Sequence, residues 1–261
     1  FNLLDEKWIQ VLKNDCSEEL VSLPEVLIHA HEYRDLSGDT PEQDMAVLRL
    51  LLAVLHTVFS SVDQDGQTDW IDSPVKARKR WRALWEKGYF KEDVIRTYLE
   101  KYHERLFHGQ YPFWQIPEAA VGTEYTVAKL NGELSESGNK VRLFPLCNGI
   151  RKQEMEYAAA ARWLLYVNAY DDTSAKPKGK GLPSPGVGWP GKLGLIAAVG
   201  DNLFQTLMLN LTFLKDGRSL WEGEDRPVWE REPSKKERQE IAVPDNLAEL
   251  LTLQSRRLLL K

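Results

Sequence analysis

Gly186-Val187-Gly188-Trp189-Pro190-Gly191-Lys192-Leu193 is the segment whose residue types and spacing come closest to a known chemistry. It satisfies G-x-G-x-x-G and nearly satisfies the P-loop pattern. A P-loop holds magnesium through a Ser or Thr after its lysine, and here that place is Leu193. Pro190 also removes one of the backbone amides that would cradle phosphate. Either fingerprint must follow a strand and open a helix, yet this stretch follows a loop containing Pro183 and Pro185 and runs into Gly194 and Gly200. The expectation is a turn-forming loop; a P-loop-like nucleotide-binding enzyme stays as an alternative reading.

Other catalytic or metal-binding patterns are incomplete. Asp63, Asp65, Gly66 and Asp69 resemble a calcium loop only faintly, because the glycine is misplaced and no bidentate Glu closes the loop. His29 and His31 share one face of an extended segment but lack a third ligand, and His56 falls inside an apolar helix as a core or boundary residue. There is no G-x-S-x-G elbow, and Cys147 beside Asn148-Gly149 has no histidine nearby in sequence. The residues predict no enzyme activity, no metal and no cofactor.

What remains is a basic run from Lys140 to Lys152. Arg142, Arg151 and Lys152 can neutralise phosphates, Phe144 can stack on an unpaired base, and Asn148 can bond base edges or sugars. A strand end with Phe144 in the core is the plainer reading of the same residues. Between Lys140 and Lys192 nine bases, Arg162 among them, face four acids, a local balance of +5 in a chain of net charge -5. A basic middle in an acidic body points to one face for a polyanion and other faces for proteins; a pair of solvated loops fits equally well.

The wider composition sets the frame. The 261 residues, 43% hydrophobic and 28% charged, suit one large globular domain or two unequal lobes. Two cysteines outside any C-x-x-C pair point to a reduced compartment. No uninterrupted apolar stretch approaches the roughly 20 residues that cross a bilayer, and the first residues do not form a signal peptide, so the expectation is a cytoplasmic protein without a membrane partner. The abrupt end after Arg256 and Arg257 predicts a fragment.

The elements that must position these residues are mostly helices. Leu3 to Val11 reads as an opening strand. Asp39 or Thr40 caps a buried helix from Pro41, with Leu48, Leu51, Leu52, Leu55 and Phe59 at helical spacing. Ser73-Pro74 opens a second helix, closed by Gly88, which turns Ala77, Trp81, Leu84 and Trp85 to one side and Arg78, Lys79, Arg80 and Arg82 largely elsewhere. A third is predicted over Glu92 to Phe107, an aromatic turn over Tyr111 to Pro117, and a fourth helix over Lys152 to Tyr170. A helix over Leu203 to Leu214 and a last one from Pro244 follow. The sum is a helix-rich α+β fold with short strands and two long loops.

The opening Asn2-Leu3-Leu4…Trp8-Ile9-Gln10-Val11 resembles the start of the CasA family, the large subunit of the type I-E CRISPR Cascade complex. Ser22-Leu23-Pro24-Glu25-Val26-Leu27, similar to a short family segment before its first helix, continues the resemblance in order. So do the Pro41 to Phe59 helix, Tyr111-Pro112-Phe113-Trp114-Gln115, Gly186 to Gly191 and Asn202-Leu203-Phe204-Gln205-Thr206-Leu207.

The resemblance implies the N-terminal domain of a non-catalytic subunit, with a C-terminal helical bundle absent. Such a subunit contacts the guide RNA 5′ end and neighbouring Cascade subunits, helps recognise the protospacer-adjacent motif of double-stranded DNA, and recruits a helicase-nuclease in antiviral defence. It places one contact loop at Lys140 to Lys152, with Phe144 at the aromatic position, and a glycine loop at Lys178-Gly179-Lys180-Gly181, where interleaved lysines and Pro183 and Pro185 depart from the family's pattern. A purely structural protein-docking module is the other alternative.

Overall fold

The computed structural model describes residues 1–102, 112–116, 120, 124–131, 153–170, 188–222, 226–230, 244, 246–254 and 258–260. Among them the architecture is a mixed α+β fold, mostly helical, with one small antiparallel sheet.

The sheet is built from β1 (Ile9–Lys13), β2 (Glu18–Val21) and β3 (Tyr33–Leu36) in the order β2-β1-β3. β1 pairs with β2 in the register Ile9 to Val21, and with β3 from Val11 opposite Leu36. The predicted opening strand thus starts later than Leu3. The Asn2 side chain accepts from Leu4 N (3.1 Å) and the Asn2 carbonyl from Glu6 N (2.8 Å), a local turn that competes with an extended chain. β2 and β3 were not legible, being four residues long and carrying exposed polar positions.

Ser22 to Leu27 is itself the start of the first helix, α1 (Leu23–Ile28), rather than a segment preceding it. Ser22 Oγ accepts from Glu25 N (3.4 Å) while Glu25 Oε2 accepts from Ser22 N (2.7 Å), a reciprocal capping box. α2 (Pro41–Ser61) has Thr40 as its cap and buries residues on every side, including Leu48, Leu51, Leu52, Leu55 and Phe59. Its length and composition would let it cross a bilayer, but most of it is enclosed by protein, as a core helix apolar all round should be. α3 (Pro74–Lys87) begins at the Ser73 cap and ends at Gly88, whose φ of 78° takes the left-handed conformation that glycine adopts without penalty.

The helix predicted over Glu92 to Phe107 is seen as α4 (Glu92–Leu99) followed by a 3-10 turn over Glu100–Tyr102, and its last five residues lie outside the described residues. The aromatic turn is present where it is described: Phe113 and Trp114 are buried, and Trp114 holds φ at 54°. Ile116 N donates to Leu258 O (2.8 Å) and Leu260 N to Gln115 Oε1 (2.8 Å), so the end of the chain lies along this turn.

α5 (Val127–Leu130) packs on α6 (Tyr157–Tyr170), which in turn packs on α2. α6 starts at Tyr157, later than predicted, because Gln153 lies in a turn and Glu154 to Glu156 take no regular structure. α7 (Trp189–Leu193) leads into an extended stretch, and α8 (Leu203–Asn210) is capped by Asn202. α8 stops four residues early: Asn210 turns its amide back to donate to Ala198 O (2.7 Å) and accept from Ala198 N (3.0 Å). α9 (Leu247–Thr252) starts after Asn246, whose side chain accepts from Glu249 N (2.8 Å), and this cap outweighs the helix-start preference of Pro244. α9 lies against α2, where buried Arg49 donates to Leu250 O (3.1 Å).

Candidate nucleic-acid interface

The two basic segments read from the sequence are both strung from α6. Segment 132–152 returns to the chain through Gln153 to Glu156 and enters α6 at Tyr157; segment 171–187 leaves α6 at Tyr170. A 14-residue helix separates these points by about 20 Å along its axis. Arg142, Phe144, Asn148, Arg151, Lys152, Lys178, Gly179, Lys180 and Gly181 all lie outside the described residues, so the structure reports their attachment points and not their contacts.

α6 owes its position to a charge that the sequence reading assigned to the polyanion face. Arg162 is buried, and its guanidinium donates to Trp8 O (2.6 Å) and Gln43 Oε1 (3.1 Å), with Asp39 Oδ2 at 3.8 Å. Its removal from solvent is a correction: it adds nothing to an external basic face, because its donors are used in joining α6 to Trp8, just ahead of β1, and to the start of α2. Burial lowers its pKa, and Asp39 and Asp44 act in the opposite sense.

Asp44 is the titrating member of this cluster. Burial pushes its carboxyl up to about 6, Asp35 and Asp39 add to the rise, and the Gly38 amide, donating at 2.7 Å, and Arg162 oppose it. A carboxyl raised in the folded state binds its proton more tightly there than when unfolded. The stability it contributes is therefore present at acid pH and is lost as pH rises through about 6. Asp44→Asn, which keeps an acceptor for Gly38 N, should raise stability by about 1 kcal/mol above neutrality after discount for solvent screening. Near pH ~4 it should bring no gain. Thermal melts across pH check this, and an equal gain at both ends contradicts it.

The far end of α6 explains the glycine motif. A Cβ on Gly188 would lie 2.2 Å from Ala169 O, and one on Gly191 would lie 2.7 Å from Tyr170 O. The two glycines let the chain returning from segment 171–187 press against the residues from which that segment departs, closing its base. Pro190 stands in the first turn of α7, which replaces the expected loop with one short helical turn. The glycines face their own backbone, which disfavours the P-loop alternative. G-x-x-G next to a proline was the visible signal, but not which backbone it would meet.

Other candidates resolve into supports. His56 is buried against Phe213, with ring centroids 5.6 Å apart, as a core residue. His29 and His31 approach Glu32 at 3.2 and 3.6 Å, and among the described residues no group of three or more ligating side chains is placed to hold a metal. Asp63 accepts from Asp65 N and Gln67 N (both 2.9 Å), forming the expected solvated turn.

The sequence profile of the family described as CRISPR-associated protein Cse1 matches residues 2–261. The chain belongs to this family. A CasA/Cse1 protein of Thermus thermophilus is 34% identical over 236 residues, covering 89% of this chain and 42% of that protein. The crystal structure of Thermobifida fusca Cse1 superposes with a TM-score of 0.75 at 33% identity, covering 98% of this chain and 48% of its own. Cse1 from Acidimicrobium ferrooxidans gives 0.72 at 27% identity, covering 98% and 47%. The fold also recurs, at 23% identity and a TM-score of 0.66 over 88% of this chain and 46% of the other, in a chain solved as a CRISPR RNA-guided surveillance complex. This Cse1-family chain spans under half the length of these relatives.

Proposed function

We propose that this chain is the N-terminal domain of the large subunit of a type I-E CRISPR surveillance complex, a cytoplasmic, non-catalytic module that contacts nucleic acid and neighbouring subunits. The observation that carries the reading is the Cse1 family match over residues 2–261. In this reading Arg142, Phe144, Asn148, Arg151 and Lys152 meet the guide RNA 5′ end and the adjoining subunit. Lys178-Gly179-Lys180-Gly181 meets the duplex beside the protospacer, where glycines admit the backbone to a narrow groove and lysines add sequence-independent attraction. Attachment to the two ends of one buried helix supports a division of labour between the segments. Recruitment of a helicase-nuclease belongs, on this proposal, to the additional length of the longer relatives.

Co-expression with partner subunits and guide RNA tests the proposal. Affinity purification of the protein is expected to recover the guide, and reversing charge at Arg142, Arg151 and Lys152 to reduce that recovery severalfold. Unchanged assembly would favour a purely protein-docking role, and failure of the parent protein to recover any guide would sink the reading.

A further inference from the structure

α3 carries a basic stripe that neither the core nor the two loop segments use. Arg78, Lys79 and Arg82 are exposed and fall at i, i+1 and i+4, so they share the outer face of the helix; Arg78 to Arg82 covers about 6 Å of axis. Their helix neighbours are spoken for: Lys76 pairs with Asp69 (2.7 Å), Lys87 with Asp65 (2.5 Å), and Arg80 is buried on Asp69. Among the described residues none of the three outer bases forms an ion pair, although Glu86 stands one turn beyond Arg82.

Two more exposed bases join them. Arg78 donates to Gly217 O (3.3 Å), which brings the turn holding Lys215 and Arg218 against the helix. That turn is built locally: Asp216 Oδ1 accepts from Arg218 N (2.9 Å) and Ser219 N (2.6 Å), and Gly217 takes φ 76°. The mount is firm, because Trp81 and Trp85 stack at 5.3 Å on the flank of the helix and Trp81 Nε1 donates to Met208 O (2.9 Å) on α8.

We propose that the outer face of α3, together with the Lys215 to Ser219 turn, is a further phosphate-binding surface that takes the sugar–phosphate backbone of nucleic acid. The choice of nucleic acid rests on the proposed function; the surface itself stands on its geometry. Three of the five bases are arginines, whose planar forks match phosphate oxygens. A linear row of cations suits a linear row of phosphates, which on each strand of a duplex advance about 3.4 Å along the axis. Ala77 and Leu84 are buried in the core and Trp81 and Trp85 are half-buried, which leaves Val75 as the exposed large hydrophobic side chain of α3 and too little free apolar surface for an interfacial helix that enters a membrane.

The experiment is fluorescence anisotropy of this chain with a labelled duplex of random sequence, titrated at several salt concentrations. It compares the parent with Arg78→Glu/Lys79→Glu/Arg82→Glu, the milder triple glutamine variant, and Lys178→Ala/Lys180→Ala. The triple glutamate variant, with melting unchanged, is expected to lose affinity tenfold or more and to lower the salt slope by about 2–3, near one unit per lost phosphate contact. The glutamine variant should lie between it and the parent, and the Lys178/Lys180 variant should keep this part of the salt dependence. Parent-like affinity and slope in both helix variants, no binding by the parent, or competition by polyglutamate equal to that by DNA would each overturn the inference. Loss confined to the Lys178/Lys180 variant would leave the proposed function standing while removing this surface.

Discussion

Arg162→Ala is expected to destabilise the protein by about 3–5 kcal/mol, the range for removing one partner of a buried, hydrogen-bonded charge. The substitution would orphan Trp8 O and Gln43 Oε1 inside the protein and leave the volume of a long side chain unfilled. Because Arg162 joins α6 to α2 and to Trp8, just ahead of β1, the loss should also reach the proposed function: both basic segments hang from the helix that it holds. Urea denaturation should show a lower midpoint, and amide exchange should accelerate within Tyr157–Tyr170 before the rest of the core. Arg162→Met, which restores much of the volume without the charge, should lose less than alanine. Equal losses would mean that the guanidinium's hydrogen bonds, and not the volume it fills, hold α6, and a midpoint unchanged in both would contradict the role assigned to the guanidinium.

Arg80→Ala should cost a similar amount, about 3–5 kcal/mol. Its guanidinium donates to Phe59 O (2.6 Å), to Val62 O, to Asp69 O (2.6 Å) and to Asp69 Oδ2 (2.6 Å). Phe59 and Val62 lie at the C-terminal end of α2, where carbonyls have no partner further along the helix. One buried side chain therefore caps the central helix and ties it to α3. Arg80→Lys should rescue little, since an ammonium on a flexible stem cannot reproduce a fork reaching three carbonyls and a carboxylate. Asp69→Asn should cost less than Arg80→Ala, because the carboxylate is half exposed and the asparagine keeps an acceptor for the buried guanidinium. Calorimetric melts of the three variants separate these outcomes; a melting point for Arg80→Ala within a degree or so of the parent would show that water replaces the clamp.

The helices were legible wherever their limits depend on residues within one turn of each other. Thr40, Ser73 with Pro74, and Gly88 set the ends of α2 and α3, and the apolar spacing within α2 placed it in the core. The capping box of Ser22 and Glu25 was missed, since that stretch was expected ahead of a helix and instead begins one. The short strands were hidden because four residues give too few alternations to distinguish a pattern from chance. For the candidate site, the charge count located a basic middle and the order of motifs located the family, but the count included Arg162, which the fold buries, and it passed over the stripe on α3.

Taken alone, the order of residues determined the helical α+β class, the starts of α2, α3, α4 and α8, the absence of a complete catalytic or metal motif, and the resemblance to one CRISPR-associated family. The tertiary structure decided which cations are scaffolding and which face water, and why Gly188 and Gly191 must be glycine. Caps and helical periods are made by neighbours about four residues apart. Arg162, by contrast, reaches Gln43 across 119 residues and Trp8 across 154, and no local pattern marks a charge whose partners arrive only when the chain has folded.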